Sequence, residues 1–313
     1  MKILVTGGAG FIGRWVVKKL LEDGHKVWVL DNLSNGKQEN LGDFLQKGSF
    51  MGLIEGDIKN AALLAGLFAE KFDICYHLAA SINVQDSIDD PRTTFENDAA
   101  GTFNILEQCR MQHTKIVFMS TCMVYARAAG DTAIDEKHPT KPASPYAGSK
   151  IAGENMVLSY WYSYGLPAVV IRPFNTYGPF QKAGGEGGVV SIFLKRALGG
   201  LPLNIYGDGN QTRDLLFVSD CADFVIKAGY SDKANGEILN AGLGRDISIN
   251  DLALLISGDK DSIRHIAHIH PQSEISRLLC DWKKAHDLLG WSPKVSLEEG
   301  IGRTRAWLEA CGG

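Results

Sequence analysis

The chain has 313 residues, a formal net charge of −4 and no block of like charges, which gives no indication of a nucleic-acid or anionic membrane partner. Its length favours a large buried core and more than one lobe, and its apolar runs are far shorter than the ~20 residues that cross a bilayer. Met1 leads directly into a strand pattern rather than a secretory signal. The six cysteines are scattered and include no CxxC pair, which argues against a disulfide framework or a metal site. We therefore expect a cytoplasmic protein.

Short segments rich in valine, isoleucine and leucine recur along the chain. They are continuously apolar rather than alternating, which is typical of strands that are covered on both faces. We predict strands at residues 2–6, 26–31, 52–57, 73–78, 115–120 and 168–173. Helical patterns lie between them, including 97–112 and 146–164. This alternation predicts an α/β fold, with a Rossmann-type doubly wound parallel sheet and right-handed crossovers.

Beyond about residue 175 the alternation becomes irregular. Glycine and proline accumulate at 178–188, a strand-like segment lies at 238–241, and helices are predicted at 249–257, 281–289 and 298–311. We therefore predict two parts of unequal size. A Rossmann domain spans residues 1–175, with a return of the chain to it at about 214–243, and a smaller mixed C-terminal substrate lobe takes residues 176–213 and 244–313.

The segment GGAGFIG at 7–13 lies between the first predicted strand and the first helix. Gly7, Gly10 and Gly13 have the spacing of a turn that lets a backbone approach a dinucleotide pyrophosphate at a helix amino end. Asp31 ends the second strand about twenty residues later, where a carboxylate accepts hydrogen bonds from the adenosine ribose. It would repel a 2′-phosphate, and no basic residue stands in the next five positions. We expect NAD rather than NADP.

Two polar residues at strand ends carry weaker signals. Asp57 closes the third predicted strand, where it would either contact the adenine edge or cap a helix, and the sequence favours neither. His77 ends a buried strand, and we expect it to be structural rather than catalytic.

Tyr146 and Lys150 stand four positions apart in a predicted helix, so they share one helix face. A free tyrosine titrates near ~10, and a neighbouring ammonium favours its phenolate form. The same lysine could hold the nicotinamide ribose, and Thr121 would reach the site from the carboxyl edge of the sheet. Tyr146 alone would fit an ordinary docking helix equally well. Together with the glycine turn, it predicts hydride transfer at a carbinol carbon.

These motifs resemble those of the extended short-chain dehydrogenases/reductases of the nucleotide-sugar epimerase/dehydratase family. The resemblance covers nearly the whole chain. It rests on GGAGFIG at 7–13, DNLSNG at 31–36, HLAA at 77–80, Asn97 with GT at 101–102, STCMVY at 120–125, SPYAGSK at 144–150, RPFNTYGP at 172–179, GDGNQTRD at 207–214 and AHDLLGWSPKVSLEEGI at 285–301. It implies bound NAD and a UDP- or dTDP-linked hexose between the two lobes.

The resemblance also implies roles for single residues. Tyr146 would take the proton of the sugar C4 hydroxyl, and Thr121 would hydrogen-bond the same oxygen. The implied NAD-binding residues are Gly7, Gly10, Phe11, Ile12, Gly13, Asp31, Asn32, Asp57, Ile58, Leu78, Ala79, Ala80, Asn97, Tyr146 and Lys150. The implied substrate-binding residues are Thr121, Cys122, Met123, Tyr146, Asn175, Tyr206, Arg213 and Arg277.

Within the substrate set, Asn175 and Arg213 would bind the diphosphate, because guanidinium donors fit phosphate oxygens in pairs. Arg277 would make a further phosphate contact, and Tyr206 would lie near the nucleobase. Simpler interpretations remain: Asn175 as a turn former, Arg213 as a surface charge and Tyr206 as a core residue.

The two positions after Thr121 separate the reactions of this family. Its 4,6-dehydratases carry Asp and Glu there, and its decarboxylases usually carry Glu at the second position, whereas this chain has Cys122 and Met123. Methionine transfers no protons and an unperturbed thiol is mostly protonated near neutral pH, so the acid–base pair for dehydration is missing. Related 3,5-epimerases use a cysteine one position later, which favours packing for Cys122. This chain departs from most epimerases of the family at two places. It has Ala126 where the family usually has glycine, and its sequence at 172–179 is RPFNTYGP.

A 4-epimerase needs no such pair, and this reaction is our prediction. A dehydratase or a decarboxylase that uses Cys122 remains an alternative, and a non-catalytic NAD-binding regulatory protein is an alternative of another class. The family pairs two helices per subunit, here 97–112 and 146–164, so we also expect a homodimer. The second helix carries more large apolar residues than one docking face needs. They are Met156, Tyr160, Trp161 and Tyr164.

Overall fold

The computed structural model describes residues 1–128, 132–184, 188–267 and 275–311. Seven parallel strands form the central sheet: β1 (Lys2–Thr6), β2 (Lys26–Asp31), β3 (Phe50–Glu55), β4 (Ile74–His77), β5 (Lys115–Met119), β6 (Ala168–Pro173) and β10 (Ile238–Ala241). Their spatial order is β10-β6-β5-β4-β1-β2-β3, so the order reverses between β1 and β4. The predicted Rossmann-type doubly wound sheet is confirmed.

Most predicted strands coincide with observed ones, and the third is displaced by two residues. We predicted it at 52–57, but β3 ends at Glu55. The Gly56 N–H still bonds to the Asp31 carbonyl of β2, and the chain turns after Gly56. Asp57 therefore lies in the turn after β3 rather than in the strand. Its carboxylate accepts a hydrogen bond from the Lys59 N–H at 2.8 Å, which holds the turn.

Helices cover both faces of the sheet, as the continuously apolar strands require. One face packs against α1 (Phe11–Glu22), α8 (Val218–Tyr230) and α10 (Lys283–Leu289). The other packs against α2 (Ala61–Phe68), α5 (Gly101–Gln112) and α6 (Pro145–Tyr164). The short helices α3 (Val84–Asp89) and α4 (Pro91–Phe95) precede α5. No helix within the described ranges is long and apolar enough to cross a membrane.

The helix predicted at 97–112 differs from the observed structure. Residues Glu96–Ala100 form a π-helical turn, and regular α-helix begins only at Gly101. A π turn accommodates an extra residue and is frequent at functional sites. Here it directs Asn97 to the cleft at the carboxyl edge of the sheet, while Asp98 is buried.

The C-terminal part of the chain forms two small sheets. Strands β7 (Asn175–Tyr177), β9 (Thr212–Phe217) and β11 (Asp246–Ser248) form one sheet, and β8 (Leu203–Tyr206) pairs with β12 (Ile263–Ile266) in the other. They pack with helices α7 (Val189–Leu198), α9 (Ile249–Ser257) and α11 (Leu297–Ala310) around a separate apolar cluster. The chain returns to the main sheet through α8 and β10. The division into two domains at residue 175 stays a prediction.

Local sequence fixes where α6 begins and how closely it packs. Ser144 caps the helix by accepting a hydrogen bond from the Ala147 N–H at 3.2 Å, and Pro145 occupies its first turn. One turn beyond Lys150, a Cβ on Gly153 would lie 2.6 Å from the Phe118 ring. Glycine thus lets α6 lie directly on β5, which brings Tyr146 and Lys150 to the end of that strand.

Candidate active site

The turn between β1 and α1 brings backbone to the cleft at the carboxyl edge of the sheet. Gly7 has φ +71°, and a Cβ there would lie 2.7 Å from Ala79 N. A Cβ on Gly13 would lie 2.1 Å from the Gly7 carbonyl oxygen. Gly10 caps α1 without a side-chain hydrogen bond, so the amino end of the helix presents N–H groups and its partial positive charge. The three glycines form a surface that a pyrophosphate can approach closely.

Asp31 stands at the end of β2, against the glycine turn. Its carboxylate accepts hydrogen bonds from the Ala9 N–H at 3.0 Å and the Leu33 N–H at 2.9 Å. Burial raises the pKa of this carboxyl, and the two N–H donors oppose that shift. The carboxylate is thereby held in one orientation at the cleft, where a ribose hydroxyl can donate to it.

Asn32 and Asp57 form the rim of the same cleft. Asn32 Nδ2 donates to Asp57 Oδ2 at 3.2 Å. The interpretation of Asp57 as a helix cap is wrong, because Asn60 caps α2 by accepting from the Leu63 N–H. Contact of Asp57 with adenine stays a prediction.

One cleft of about 880 Å³, open mouth included, runs along these elements. It is lined by every predicted NAD-binding residue except Tyr146 and Lys150: Gly7, Gly10, Phe11, Ile12, Gly13, Asp31, Asn32, Asp57, Ile58, Leu78, Ala79, Ala80 and Asn97. Sequence reasoning missed eight further lining residues: Leu30, Ser34, Asn35, Gly36, Gly56, Ser81, Ile82 and Met119. Three of them, Ser34, Asn35 and Gly36, lie within the motif DNLSNG, which could have indicated them. The cleft and its glycine surface fit a dinucleotide such as NAD.

The Tyr146 hydroxyl lies at the end of β5, beside Thr121. Thr121 acts on the Tyr146 hydroxyl and lowers its pKa, and each side chain is at most 9% exposed. Burial raises the pKa of Tyr146, and the negative charge of Asp98 raises it further. Both effects favour the neutral phenol, so Tyr146 needs nearby positive charge to act as a base.

Lys150 supplies such a charge one turn along α6. Its Nζ donates to the Met119 carbonyl at 3.0 Å and lies 5.2 Å from the Phe118 ring centroid. Burial lowers the pKa of Lys150, whereas Asp98 and Glu154 raise it. The structure thus brings the three predicted catalytic side chains to the same end of β5.

A buried polar network lies behind this site, and the sequence patterns did not predict it. Glu154 accepts two hydrogen bonds from Arg172 and one from the Ser120 hydroxyl. The Arg172 guanidinium lies 4.7 Å from the centroid of the Tyr125 ring, and the Tyr125 hydroxyl donates to Asn240 Oδ1 at 2.7 Å. The network ties α6 to β5, β6 and β10. Three of its members, Ser120, Tyr125 and Arg172, lie in the recognised motifs, but the pairing of the network depends on the fold.

Cys122 and Met123 follow Thr121 in a 3₁₀ turn, Cys122–Val124. Cys122 is 3% exposed, and burial raises the pKa of its thiol to about 12. It packs in an apolar cluster with Phe174 and Cys280, and Met123 packs against that cluster. A thiol with this pKa carries no negative charge at neutral pH, which agrees with packing rather than base catalysis.

Two arginines predicted to bind phosphate lie near each other, in and beside the sheet formed by β7, β9 and β11. Arg213 lies in β9, where its Nη1 donates to the Thr212 carbonyl at 2.7 Å and the Ile275 carbonyl at 2.9 Å. Arg277 is bridged to Thr212, and its Nε donates to Asp246 Oδ2 at 2.8 Å. Arg213 is half-buried and holds two backbone carbonyls, and its contact with phosphate stays a prediction.

Asn175 and Tyr206 also differ from their simpler interpretations. Asn175 lies in β7 rather than in a turn, and its buried side-chain oxygen has no hydrogen-bond partner among the described residues. Tyr206 ends β8 and is 42% exposed, so it is not a core residue. Both side chains remain able to meet a ligand.

His77 has a structural place, as expected. Its ring nitrogens are hydrogen-bonded to Thr6 Oγ1 at 2.7 Å and Thr102 Oγ1 at 3.0 Å. Burial lowers its pKa to about 3, so the ring is neutral and links β1, β4 and α5. Within the described ranges, no group of three or more His, Cys, Asp or Glu side chains could hold a metal ion.

The chain belongs to the NAD-dependent epimerase/dehydratase family, whose family model matches residues 3–242. It is an enzyme of this family, and its cofactor is NAD.

Individual relatives extend over the whole chain. The UDP-glucose 4-epimerase of Mycolicibacterium smegmatis is 39% identical over 308 residues, which are 97% of each chain. The X-ray structure of Pal from Bacillus thuringiensis is 66% identical, with a TM-score of 0.98 over 99% of this chain and 100% of that one. The UDP-glucose 4-epimerase of Thermus thermophilus, in complex with NAD, is 35% identical, with a TM-score of 0.90 over 99% of both chains. A decarboxylase and a dehydratase are also relatives, at 32% and 30% identity.

Proposed function

We propose that the enzyme is an NAD-dependent nucleotide-sugar 4-epimerase that acts on a UDP- or dTDP-linked hexose. The observation that carries the proposal is the side-chain chemistry beside Tyr146 and Thr121. Cys122 is a buried thiol with a pKa of about 12, and Met123 is a thioether. Neither position carries a carboxylate of the kind that the family's dehydratases use, and a neutral thiol is no base, whereas a 4-epimerase needs no such group there.

In this reaction Tyr146 takes the proton from the C4 hydroxyl and Thr121 hydrogen-bonds the same oxygen. Bound NAD supplies the reversible hydride acceptor for C4. Lys150 favours the phenolate of Tyr146 through its ammonium charge. The resulting 4-keto sugar turns over in the site and presents its other face, and Tyr146 then returns the proton to the C4 oxygen. The hydride removed from C4 would return to C4 on that other face, and the proton returns to its oxygen, so the net product is the C4 epimer.

The residues that would hold NAD line the cleft described above, with the glycine turn at the pyrophosphate and Asp31 at the adenosine ribose. Arg213 and Arg277 would bind the diphosphate of the substrate from the small sheet. Asn175 would contact the same diphosphate through its side-chain amide. Exposed Tyr206 would lie near the nucleobase. Both arginines already hold protein groups, so the diphosphate would share their donors with Asp246 and backbone carbonyls.

The test is to incubate the enzyme with a panel of nucleotide sugars and examine the products by NMR and mass spectrometry. An unchanged mass with inverted C4 supports the epimerase. Loss of one water identifies a dehydratase, and loss of one carbon dioxide identifies a decarboxylase, the reactions of two relatives. Turnover of any nucleotide sugar eliminates the non-catalytic regulatory protein.

We also propose a homodimer formed through α5 and α6, in the reducing cytoplasm. The residues we expected to drive it need correction: Tyr160 is 5% exposed, and Met156 and Trp161 pack partly on the core. Only Tyr164 of that set is strongly exposed. Other apolar side chains of this region supply surface instead. They are Phe95, Phe103, Met111 and Tyr162.

A further inference from the structure

Asp98 is a buried carboxylate that the proposed reaction does not use. It lies in the π turn Glu96–Ala100, which packs against α6, and it is 1% exposed. One oxygen, Oδ1, accepts a hydrogen bond from the Ser81 N–H at 2.6 Å. The other, Oδ2, is buried and has no hydrogen-bond partner within the described ranges. A buried, half-satisfied carboxylate is costly, which calls for a compensating interaction.

Lys150 is a buried ammonium that requires a negative charge, as Asp98 is a buried carboxylate that requires a positive one. Its ammonium has three donor hydrogens, the side chain is 3% exposed, and among the described residues it donates one hydrogen bond, to the Met119 carbonyl. A buried ammonium requires a negative charge nearby. The two carboxylates that act on it electrostatically are Asp98 and Glu154. Glu154 is already engaged through both oxygens by Arg172, which leaves Asp98 as the carboxylate with a free oxygen.

We propose that Asp98 is a positioning residue of the catalytic pair: its carboxylate balances the buried ammonium of Lys150 and sets the pH range in which Tyr146 exchanges its proton. The proposal rests on the proposed function for the role of Tyr146 as the base. The balance of charge between Asp98 and Lys150 is independent of that function.

The other titratable groups around the pair do not replace Asp98. Glu154 and Arg172 neutralise each other. His77 of β4 is neutral, because burial lowers its pKa to about 3, and Cys122 is a neutral thiol. Glu96, in the same turn as Asp98, has its side chain 48% exposed, so water screens its charge.

The negative charge of Asp98 determines in which direction the pKa values of Tyr146 and Lys150 change when it is removed. Negative charge at Asp98 raises the pKa of Tyr146, because it opposes the phenolate, and raises the pKa of Lys150, because it favours the ammonium. In Asp98→Asn both pKa values therefore fall. The Ser81 N–H keeps its acceptor in this variant, so the change is one of charge.

The experiment uses the NAD-bound enzyme and follows reduction of bound NAD by a nucleotide sugar as a function of pH. This step is common to epimerase, dehydratase and decarboxylase reactions, so the net product does not affect the test. In Asp98→Asn we expect both limbs of the pH profile to move to lower pH by about one unit, the lower end of the usual range for a close charge. Asp98→Glu should keep the wild-type position. Glu96→Gln, the surface control in the same turn, should not move it. An unmoved profile at reduced rate in Asp98→Asn would overturn the proposal.

A second measurement does not need activity. Melting temperatures of the wild-type protein, Asp98→Asn, Lys150→Met and the double variant form a double-mutant cycle, which measures the interaction between the two side chains. We expect each single change to lower the melting temperature, and the double variant to lose less than the sum. Additive losses would overturn the proposal. If no nucleotide sugar reduces the bound NAD, the proposed function fails, while this cycle still decides the role of Asp98.

Discussion

At the scale of single residues, the chemistry depends on a few hydroxyl groups whose surroundings set their reactivity. Tyr146 and Thr121 lie in a buried site, and burial raises the pKa of Tyr146, so the phenol stays protonated until positive charge lowers that pKa. Cys122, one residue from Thr121, is subject to the same burial but lies within an apolar cluster. Two predictions separate the reacting residue from the packing residue.

Tyr146→Phe should lower turnover by at least ~100-fold, the lower range for loss of a positioned acid–base group, while the substrate still binds. Steady-state kinetics and substrate titration measure the two effects separately. Tyr162→Phe is a matched control on the same helix, because Tyr162 is 76% exposed, and it should behave like wild type. Near wild-type turnover in Tyr146→Phe would remove this residue from the catalytic role.

Cys122→Ser should keep turnover within about tenfold, since only packing and pocket polarity change in a 4-epimerase. Cys280→Ser, in the same apolar cluster, is the matched control and should show a similar loss. If Cys122 is the acid of an elimination, its loss should cost on the order of 10²–10⁴-fold. Reaction in deuterated water gives an independent check, because a pure 4-epimerase leaves C5 unlabelled. Label at C5 or C6 together with a collapse in Cys122→Ser would contradict the epimerase.

At the scale of elements, the site is made where strand ends meet helix ends. The turn from β1 to α1 holds Asp31 at the end of β2 through the Ala9 N–H, and α6 lies against β5 because Gly153 fits beneath the Phe118 ring. The π turn before α5 separates Asn97, which lines the cleft, from buried Asp98. Such junctions orient side chains that no single element could bring together.

The junction at Asp31 predicts tighter binding of NAD than of NADP. A 2′-phosphate would meet a carboxylate that two N–H groups hold in place, and the ribose would lose its hydrogen bond. Calorimetry with both dinucleotides on cofactor-free protein measures the preference. Asp31→Asn removes the negative charge and should reduce the preference for NAD over NADP. Equal or tighter binding of NADP by the wild-type protein would contradict this prediction.

At the scale of the whole molecule, the main sheet and the small sheets meet along the edge where the strands of the main sheet end. Trp15 of α1 donates to the Pro179 carbonyl at 3.2 Å, and the Phe180 ring packs between Arg14 and Trp307. These contacts join α1, which follows the glycine turn, to the last helix. The exposed apolar side chains around α5 and α6 lie outside this arrangement, at the surface where we propose the homodimer contact.

The homodimer predicts a mass of two chains in solution at micromolar concentration, measured by light scattering. Tyr162→Glu places a charge on the exposed part of α6 and should shift the mass toward that of one chain, because interface cores exclude charge. Tyr230→Glu, at a half-exposed position on α8 away from this region, is the control and should leave the dimer intact. A strictly monomeric wild-type protein would contradict the prediction.

The sequence by itself determined the parts that are encoded locally. Continuous apolar runs identified the main strands, because both faces of each strand are covered. Glycine spacing located the turn at Gly7, and the spacing of Tyr146 and Lys150 placed both on one helix face. The family motifs supplied the cofactor and the position of Thr121.

The tertiary structure alone decided the pairings between distant segments. Arg277 is bridged to Thr212, the neighbour of Arg213, and Glu154 pairs with Arg172, through strand and helix packing that no local pattern specifies. The π turn replaced a predicted helix start and placed buried Asp98 in a segment that packs against α6. Periodicity reports which face of a segment is buried, but the partner of a buried charge depends on which segments the fold places side by side.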